Sequence, residues 1–511
     1  MARCEAGGIA LDGWGMLNSL EIEPRDHTDL RTFAEELTGR LNAVAEIDPA
    51  ALMDLFRASE GFHDANRLIL FALQKFLLKW TLGHAYKHTK FYGKNPAYAA
   101  LPSNEVDAAP DLSAWPIISR TVISENFEEF IADDVQLRST CHTSGTTGQP
   151  MDVYKSFEEV RFINDYFSHM FRSFLKSGRP KPLSLSFPNF YHGVAVPMPS
   201  IGMSFVSGVT DDTLIQDARR VLDTTYHFKG YDSRIRILGG LGHHILFFTS
   251  YLLEQGVDLS TYRMECINLT GGFLSMQMFE FLRNAWKCPI NIRFSMTETI
   301  GGATCIEPTS RFVLDPHLIG EVVDVDTGGS LQEGVGALVL TNLYPFVQMQ
   351  PLIRYQNGDL VRRIPSANGR VVFDFLGRVK NALTRMKDGK REWLLFSAPL
   401  NNTLAAIPDI RVYDWFANVR TAKDRTVGSL PIMSVRAEES GGVVTIKLSL
   451  ELRYAPHLHR KRCDQLRGDI IAAMRAVPDT VLSTAMDANE VVFDILFCGP
   501  EQLNEPIVIK I

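Results

Sequence analysis

The spacing of apolar residues changes character along the chain. Between Arg67 and Tyr86, Leu68, Phe71, Leu78 and Leu82 recur at helical spacing while Lys75 and Lys79 share another face. This predicts an amphipathic packing helix within a helical segment over 1–100. The two lysines break the greasiest run well short of the roughly 20 apolar residues a bilayer crossing needs. Pro102 to Pro116 is polar and proline-rich, and reads as a connector. Over 117–376, short apolar or β-branched runs alternate with helical stretches: Pro182–Phe187, Cys266–Thr270, Ile290–Phe294 and Ala337–Leu343. That alternation predicts parallel strands with crossovers, an α/β domain. Ser156-x-x-Glu159 is a capping box opening a helix through Val160, Ile163, Phe167 and Phe171. After residue 380 the pattern changes again. Val443–Leu452 alternates as a half-buried strand, Pro456–Val477 is a charged amphipathic helix and Val491–Phe497 is a second strand. The last 130 or so residues therefore read as a small α+β domain.

Composition narrows the classes of function. With 511 residues the chain can bury a sizeable core, so it needs neither disulfides nor a structural metal to fold. Lys+Arg of 52 against Asp+Glu of 59 gives a net charge of −7 with no basic block, which argues against a nucleic-acid or anionic-membrane surface. Seven scattered cysteines with no CxxC pair fit a reducing compartment rather than a disulfide framework or zinc ribbon. The N-terminus lacks the basic start and apolar run of a signal peptide, so the expected setting is cytoplasmic.

The candidate chemistry centres on Thr143-Ser144-Gly145-Thr146-Thr147-Gly148-Gln149-Pro150, between apparent strands at Asp134–Arg138 and Met151–Tyr154. Glycines let successive N–H groups converge, and hydroxyls beside them add donors for an anion without a permanent positive charge. No Lys-Ser/Thr follows the second glycine, so this is not a Walker A loop, and it is not GxGxxG either. Alone, such a stretch reads equally as a polyphosphate nest or a flexible turn.

Seven other segments decide between these. They are Leu82-Gly-His-Ala-Tyr-Lys-His-Thr-Lys-Phe-Tyr92 with Asp111-Leu-Ser-Ala-Trp-Pro-Ile-Ile-Ser119, Pro188-Asn-Phe-Tyr-His-Gly193, Thr270-Gly-Gly-Phe273, Phe294-Ser-Met-Thr-Glu298, Tyr355-Gln-Asn-Gly-Asp359 and Gly377-Arg378. In this order they resemble the motifs of the adenylate-forming ligases, in particular the phenylacetate–CoA ligase-like branch. The resemblance covers residues 82–378 and implies a large N-terminal α/β domain over 1–376 and a small, mobile α+β lid over 377–511. It also implies an AMP-forming reaction using ATP and Mg²⁺ on a small carboxylic acid.

Residue roles come with the resemblance. Thr143, Ser144, Gly145, Thr146, Thr147 and Gly148 would hold phosphate; Gly271, Gly272, Phe273 and Phe294 would lie against adenine. Glu298 offers the hard oxygen magnesium prefers, Thr297 a donor to the α-phosphate, Asp359 two acceptors for ribose hydroxyls and Arg378 a fixed charge. Phe187, Phe190, Tyr191, His192, Ile300, Gly301 and Gly302 would surround an apolar acid. Two departures stand out. Asn381, preceded by Lys380, occupies the hinge position where the family usually has Asp, and Lys510 is the only lysine near the place of the family's C-terminal catalytic lysine. The acceptor stays open between the thiol of coenzyme A and, as in coronafacate-type ligases, the amine of an amino acid. A nucleotide-binding scaffold without turnover is the third reading. His243-His244 looks metal-like, but adjacent histidines point apart on a helix and no carboxylate follows at +3 or +4, so a packing role is expected.

Overall fold

A computed structural model of the chain describes residues 30–60, 64–99, 108–142, 151–172, 179–188, 202–271, 274–299, 301–307, 311–367 and 369–503. The helical start comprises α1 (Leu30–Asn42), α2 (Pro49–Ala58), α3 (Asp64–His88) and α4 (Lys90–Gly93). Asp48 caps α2 by accepting the Ala51 N–H at 2.8 Å, and Pro49 takes the first helical position, where its missing N–H costs nothing. The inner faces of these helices close over Leu343, Phe346 and Tyr355 from far along the chain. Burial of each large apolar side chain contributes about 1.5–3 kcal/mol.

Next come β1 (Ile118–Ser119), α5 (Arg120–Glu125) and an antiparallel hairpin, β2 (Leu137–His142) with β3 (Asp152–Ser156). The helix α6 (Phe157–Arg172) opens as anticipated, with Ser156 Oγ accepting the Glu159 N–H at 3.0 Å. Glu159 does not close the box. Its buried carboxylate accepts the N–H groups of Gln348 and Met349 at 2.8 Å and lies 3.5 Å from Lys155.

The α/β section follows: β4 (Lys181–Phe187), β5 (Met203–Val206), α7 (Asp212–Asp223), β6 (Tyr231–Leu241), α8 (Gly242–Glu254), β7 (Cys266–Thr270), α9 (Met276–Trp286) and β8 (Ile290–Ser295). Strands β5-β4-β6-β7-β8 pair in parallel, as the alternation predicts. The same sheet then turns antiparallel through β9 (Gly302–Glu307), β10 (Arg311–Leu314), β11 (Leu318–Val323), β12 (Gly334–Asn342), β13 (Tyr355–Ile364) and β14 (Val372–Arg378). Their order is β8-β9-β10-β14-β13-β12-β11, with β1 beside β13. This half departs from the parallel expectation because most of its strands follow one another too closely to fit a crossover helix.

Beyond a short turn at Val379–Asn381 lie β15 (Leu383–Lys387), β16 (Lys390–Leu395), α10 (Ser397–Ala405), β17 (Met433–Ser440), β18 (Val443–Glu451), α11 (Arg460–Arg475), α12 (Leu482–Asp487) and β19 (Val491–Cys498). The last three strands form a sheet of their own, with β18 and β19 parallel around the two helices. Ile446, Leu448, Ile470 and Phe493 lie in its separate core. The large sheet runs through Arg378 and so passes the boundary expected at 376.

Between α10 and β17 the chain returns to the large sheet's helices. Phe416, Val419 and Ala422 enter the core of the parallel half, and the Phe416 ring stacks on Phe247 at 3.8 Å. Asp212 accepts the N–H groups of Arg420 and Thr421, while Glu254 accepts those of Lys423 and Asp424 at 2.7 and 2.9 Å. Among the described residues no helix is long and apolar enough to cross a membrane.

Candidate active site

The sheet changes from parallel to antiparallel at β8, and the chain leaving the carboxyl end of that strand carries Met296, Thr297 and Glu298. Open sheets bind ligands outside the carboxyl ends of parallel strands, where the topology switches. Glu298 is buried there. Its Oε1 accepts the Tyr355 hydroxyl at 3.0 Å, and its backbone carbonyl accepts Asn342 Nδ2 at 3.2 Å. Burial and the Glu298 charge together push the Tyr355 phenol well above its ordinary range, so it stays a donor. Thr297 beside it is half-buried.

Strand β13 brings the second carboxylate. Residues 355, 357 and 359 are buried and 356 and 358 are half-buried, across a bulge at which Gly358 takes φ +85°. Asn357 Nδ2 donates to Asp359 Oδ2 at 2.5 Å, and the Asp359 N–H returns to Asn357 Oδ1 at 3.0 Å. On the neighbouring strand Arg378 stands opposite Asp359, with Nε 3.0 Å from Oδ1 and Nη1 donating to the Asn357 carbonyl at 2.7 Å. Asp359 is pushed up to about 6: burial raises it, Arg378 opposes, and the charge of Glu298 raises it further. Glu298 and Asp359 are thus two buried carboxylates, the second paired with Arg378 across the strands.

The hairpin β2–β3 holds both ends of the stretch 143–150, which lies outside the described residues. His142 and Asp152 close its neck, with Nδ1 2.5 Å from Oδ1. Cys141 at its root is pushed up by burial, lowered by Lys155 and raised again by Glu298, so the neck stands within electrostatic reach of Glu298.

No family model matches the chain. Phenylacetate-coenzyme A ligase of Pseudomonas putida is 23% identical over 339 residues, covering 60% of this chain and 71% of that one. The enzyme of the same name from Aromatoleum evansii is 24% identical over 327 residues, covering 60% and 69%. In fold, the chain matches an open conformation of 2-hydroxyisobutyryl-CoA ligase, in complex with 2-HIB-AMP and CoA, with a TM-score of 0.58. That match covers 84% of this chain and 89% of the other at 14% identity. In sequence the chain is similar to the phenylacetate–CoA ligases, and its fold is that of an acyl-CoA-forming, adenylate-forming ligase.

Within this ligase, Thr297, Glu298, Asp359 and Arg378 converge, together with Tyr355 and Asn357, to which the motif reading gave no roles. The signal for the latter two was their place inside the motif itself, Tyr355-Gln-Asn-Gly-Asp359. Gly271 ends β7 with φ +62°, a left-handed backbone in which a Cβ would stand 3.0 Å from Leu241. Gly272, Phe273, Phe190, Tyr191, His192, Ile300 and Lys510 lie outside the described residues.

Three placements differ from expectation. Phe187 has no exposed surface and packs on Phe248 at 5.1 Å, so it supports the parallel half from within instead of walling a pocket. Phe294 lies edge-on to Phe373 at 5.5 Å, near Phe312 and Phe375, so part of its ring is committed to the antiparallel core. Gly301 and Gly302 are demanded by packing. A Cβ on Gly301 would meet Asp315 Oδ2 at 2.5 Å, and one on Gly302 would meet the Phe294 carbonyl at 2.2 Å. Asp315 in turn accepts the Gly302 N–H at 2.9 Å and pairs with Arg293. At the hinge Lys380 is exposed, and Asn381 is buried with no hydrogen-bond partner for Oδ1 among the described residues. His243 and His244 are lowered to about 4 by burial; both rings lie near Phe416, the packing role expected.

Proposed function

We propose that this ligase uses ATP to activate an organic carboxylic acid as an acyl-adenylate and then passes the acyl group to the thiol of coenzyme A. The observation that carries this reading is the juxtaposition of Glu298, Tyr355, Asp359 and Arg378 at the sheet's switch point; the phenylacetate–CoA ligases among its relatives favour the thiol acceptor. In the first step a carboxylate oxygen attacks the α-phosphorus, an acyl–phosphate bond forms, and the bond to pyrophosphate breaks. In the second the thiol sulfur attacks the acyl carbon and AMP leaves.

Asp359, held by Asn357 and Arg378, would accept the two ribose hydroxyls, and Thr297 would donate to the α-phosphate. The paired buried carboxylates suit a hard dication, with Glu298 as the protein ligand and Tyr355 fixing its orientation. When bound, Mg²⁺ would supply charge stabilisation for the departing pyrophosphate. The region from about 377 would act as a mobile lid pivoting near Lys380 and Asn381.

The test is pyrophosphate release with ATP and magnesium over a panel of carboxylic acids, each without acceptor, with coenzyme A, and with mixed amino acids. A thioester by mass in the coenzyme A arm is expected. An amide appearing only with amino acids would replace the proposed acceptor by an amine.

A further inference from the structure

Away from the ligase site, the fold brings together His84 and His88, one turn apart on α3, and Asp134, in the chain leading into β2. One ligand atom from each lies within 4.8 Å of the others. His84 Nδ1 is 3.6 Å and His88 Nε2 is 3.3 Å from Asp134 Oδ2. These separations are long for good hydrogen bonds. They match the edges of a tetrahedron built on metal bonds of about 2.0–2.1 Å, whose ligand atoms stand roughly 3.3 Å apart.

The far nitrogens of both rings supply the stronger argument. His84 Nε2 lies 2.8 Å from the Gln348 carbonyl, a contact that requires an N–H there. In a neutral ring Nδ1 then presents its lone pair towards Asp134. His88 Nδ1 faces the Asp133 carboxylate at 3.3 Å, which leaves Nε2 as the lone pair facing the same Asp134 oxygen. Two imidazole lone pairs and a carboxylate oxygen converging on one point make a ligand set for a cation. Histidines that bind metal almost always donate their other N–H to a carbonyl or carboxylate, and here one does each. Tyr344 packs on the His84 ring at 5.2 Å and stacks on Trp80, so the ring is held in place. His84 is nearly buried while the Asp134 side chain is one-third exposed, which leaves a solvent side for a fourth ligand.

We propose that His84, His88 and Asp134 bind one divalent cation of the zinc class, with water completing the shell. The backbone already joins these parts, since the Asp133 N–H donates to the His88 carbonyl at 3.0 Å. The ion would staple the end of α3 to the chain entering the hairpin whose neck stands near Glu298. Its role is structural and independent of which acid or acceptor the ligase uses.

The experiment uses the full chain, free of any affinity tag and stripped with a chelator, titrated with Co²⁺. One equivalent should bind with the visible bands of four-coordinate cobalt, be displaced by Zn²⁺, and raise the melting temperature. His88→Ala should abolish the bands and the melting shift, and Asp133→Asn should weaken binding by about 10–100-fold. If circular dichroism shows that His88→Ala does not fold, the isosteric Asp134→Asn takes its place. Absence of the bands in the wild-type chain, or bands that persist in the folded ligand variant, would overturn the proposal; the former outcome would mean that protonated histidines alone satisfy Asp134.

Discussion

The floor of the ligase site and the attachment of the small C-terminal unit are held together differently. The floor is a closed set of directional bonds: Tyr355 on Glu298, Asn357 on Asp359, and Arg378 bridging two strands. Tyr355, Asn357, Asp359 and Arg378 stand on two paired strands of one sheet, and Glu298 on the turn that leaves a third. The attachment has, at the expected hinge, a buried Asn381 oxygen without a partner among the described residues and, further on, an aromatic plug at Phe416 in a segment whose N–H groups are taken by Asp212 and Glu254. Directional polar contacts fix geometry, whereas an aromatic plug supplies much stability with little orientation. The two regions thus differ in what holds them: a bonded polar set at the floor, and an aromatic contact framed by backbone hydrogen bonds at the attachment.

The sharpest way to break this contrast is Phe416→Ala. Emptying a site that stacks at 3.8 Å on Phe247 should cost about 3–5 kcal/mol in denaturant unfolding. A loss near zero would mean the segment does not dock there in solution. Glu298→Gln should lower pyrophosphate release by about 10²–10³-fold with circular dichroism unchanged. A drop of only a few-fold would remove Glu298 from the reaction. Tyr355→Phe leaves a buried carboxylate oxygen without its donor, at a cost of about 1–3 kcal/mol, seen as reduced stability together with a raised requirement for magnesium.

The smallest expected effect is on pH. Burial first, opposed by Arg378 and helped by Glu298, raises Asp359 from its ordinary 3.8 to about 6 in the folded chain. The folded chain therefore holds this proton more tightly than the unfolded one. The stability it contributes is full below 3.8 and fades as pH rises to about 6. Ribose recognition needs the ionised form, so the KM for ATP should fall as pH rises through about 6. Asp359→Asn should flatten that profile, and an unchanged profile would separate Asp359 from the nucleotide.

Much of this was legible in the chain. Helical periodicity around Leu68–Leu82, the parallel strands Cys266–Thr270 and Ile290–Phe294, and the convergence of Glu298, Asp359 and Arg378 follow from spacing and motif. Strand direction in the antiparallel half was not, because apolar runs of Val and Leu read the same whichever neighbour they pair with. Phe187 ends a fully buried strand, and such a run does not tell a core residue from a pocket wall. The Phe416 segment hides two aromatics in Asp414-Trp-Phe-Ala-Asn-Val-Arg-Thr-Ala-Lys-Asp424, too short and too charged for a period to emerge. The Tyr355–Glu298 bond joins residues far apart in the chain, which local pattern cannot reveal.

The most direct test of the central claim is exchange of labelled pyrophosphate into ATP, run with each carboxylic acid and no acceptor. Exchange that depends on one class of acid, and that Glu298→Gln abolishes, is the result expected of a ligase forming an acyl-adenylate on this floor. No acid-dependent exchange from a folded chain that still binds ATP would contradict it.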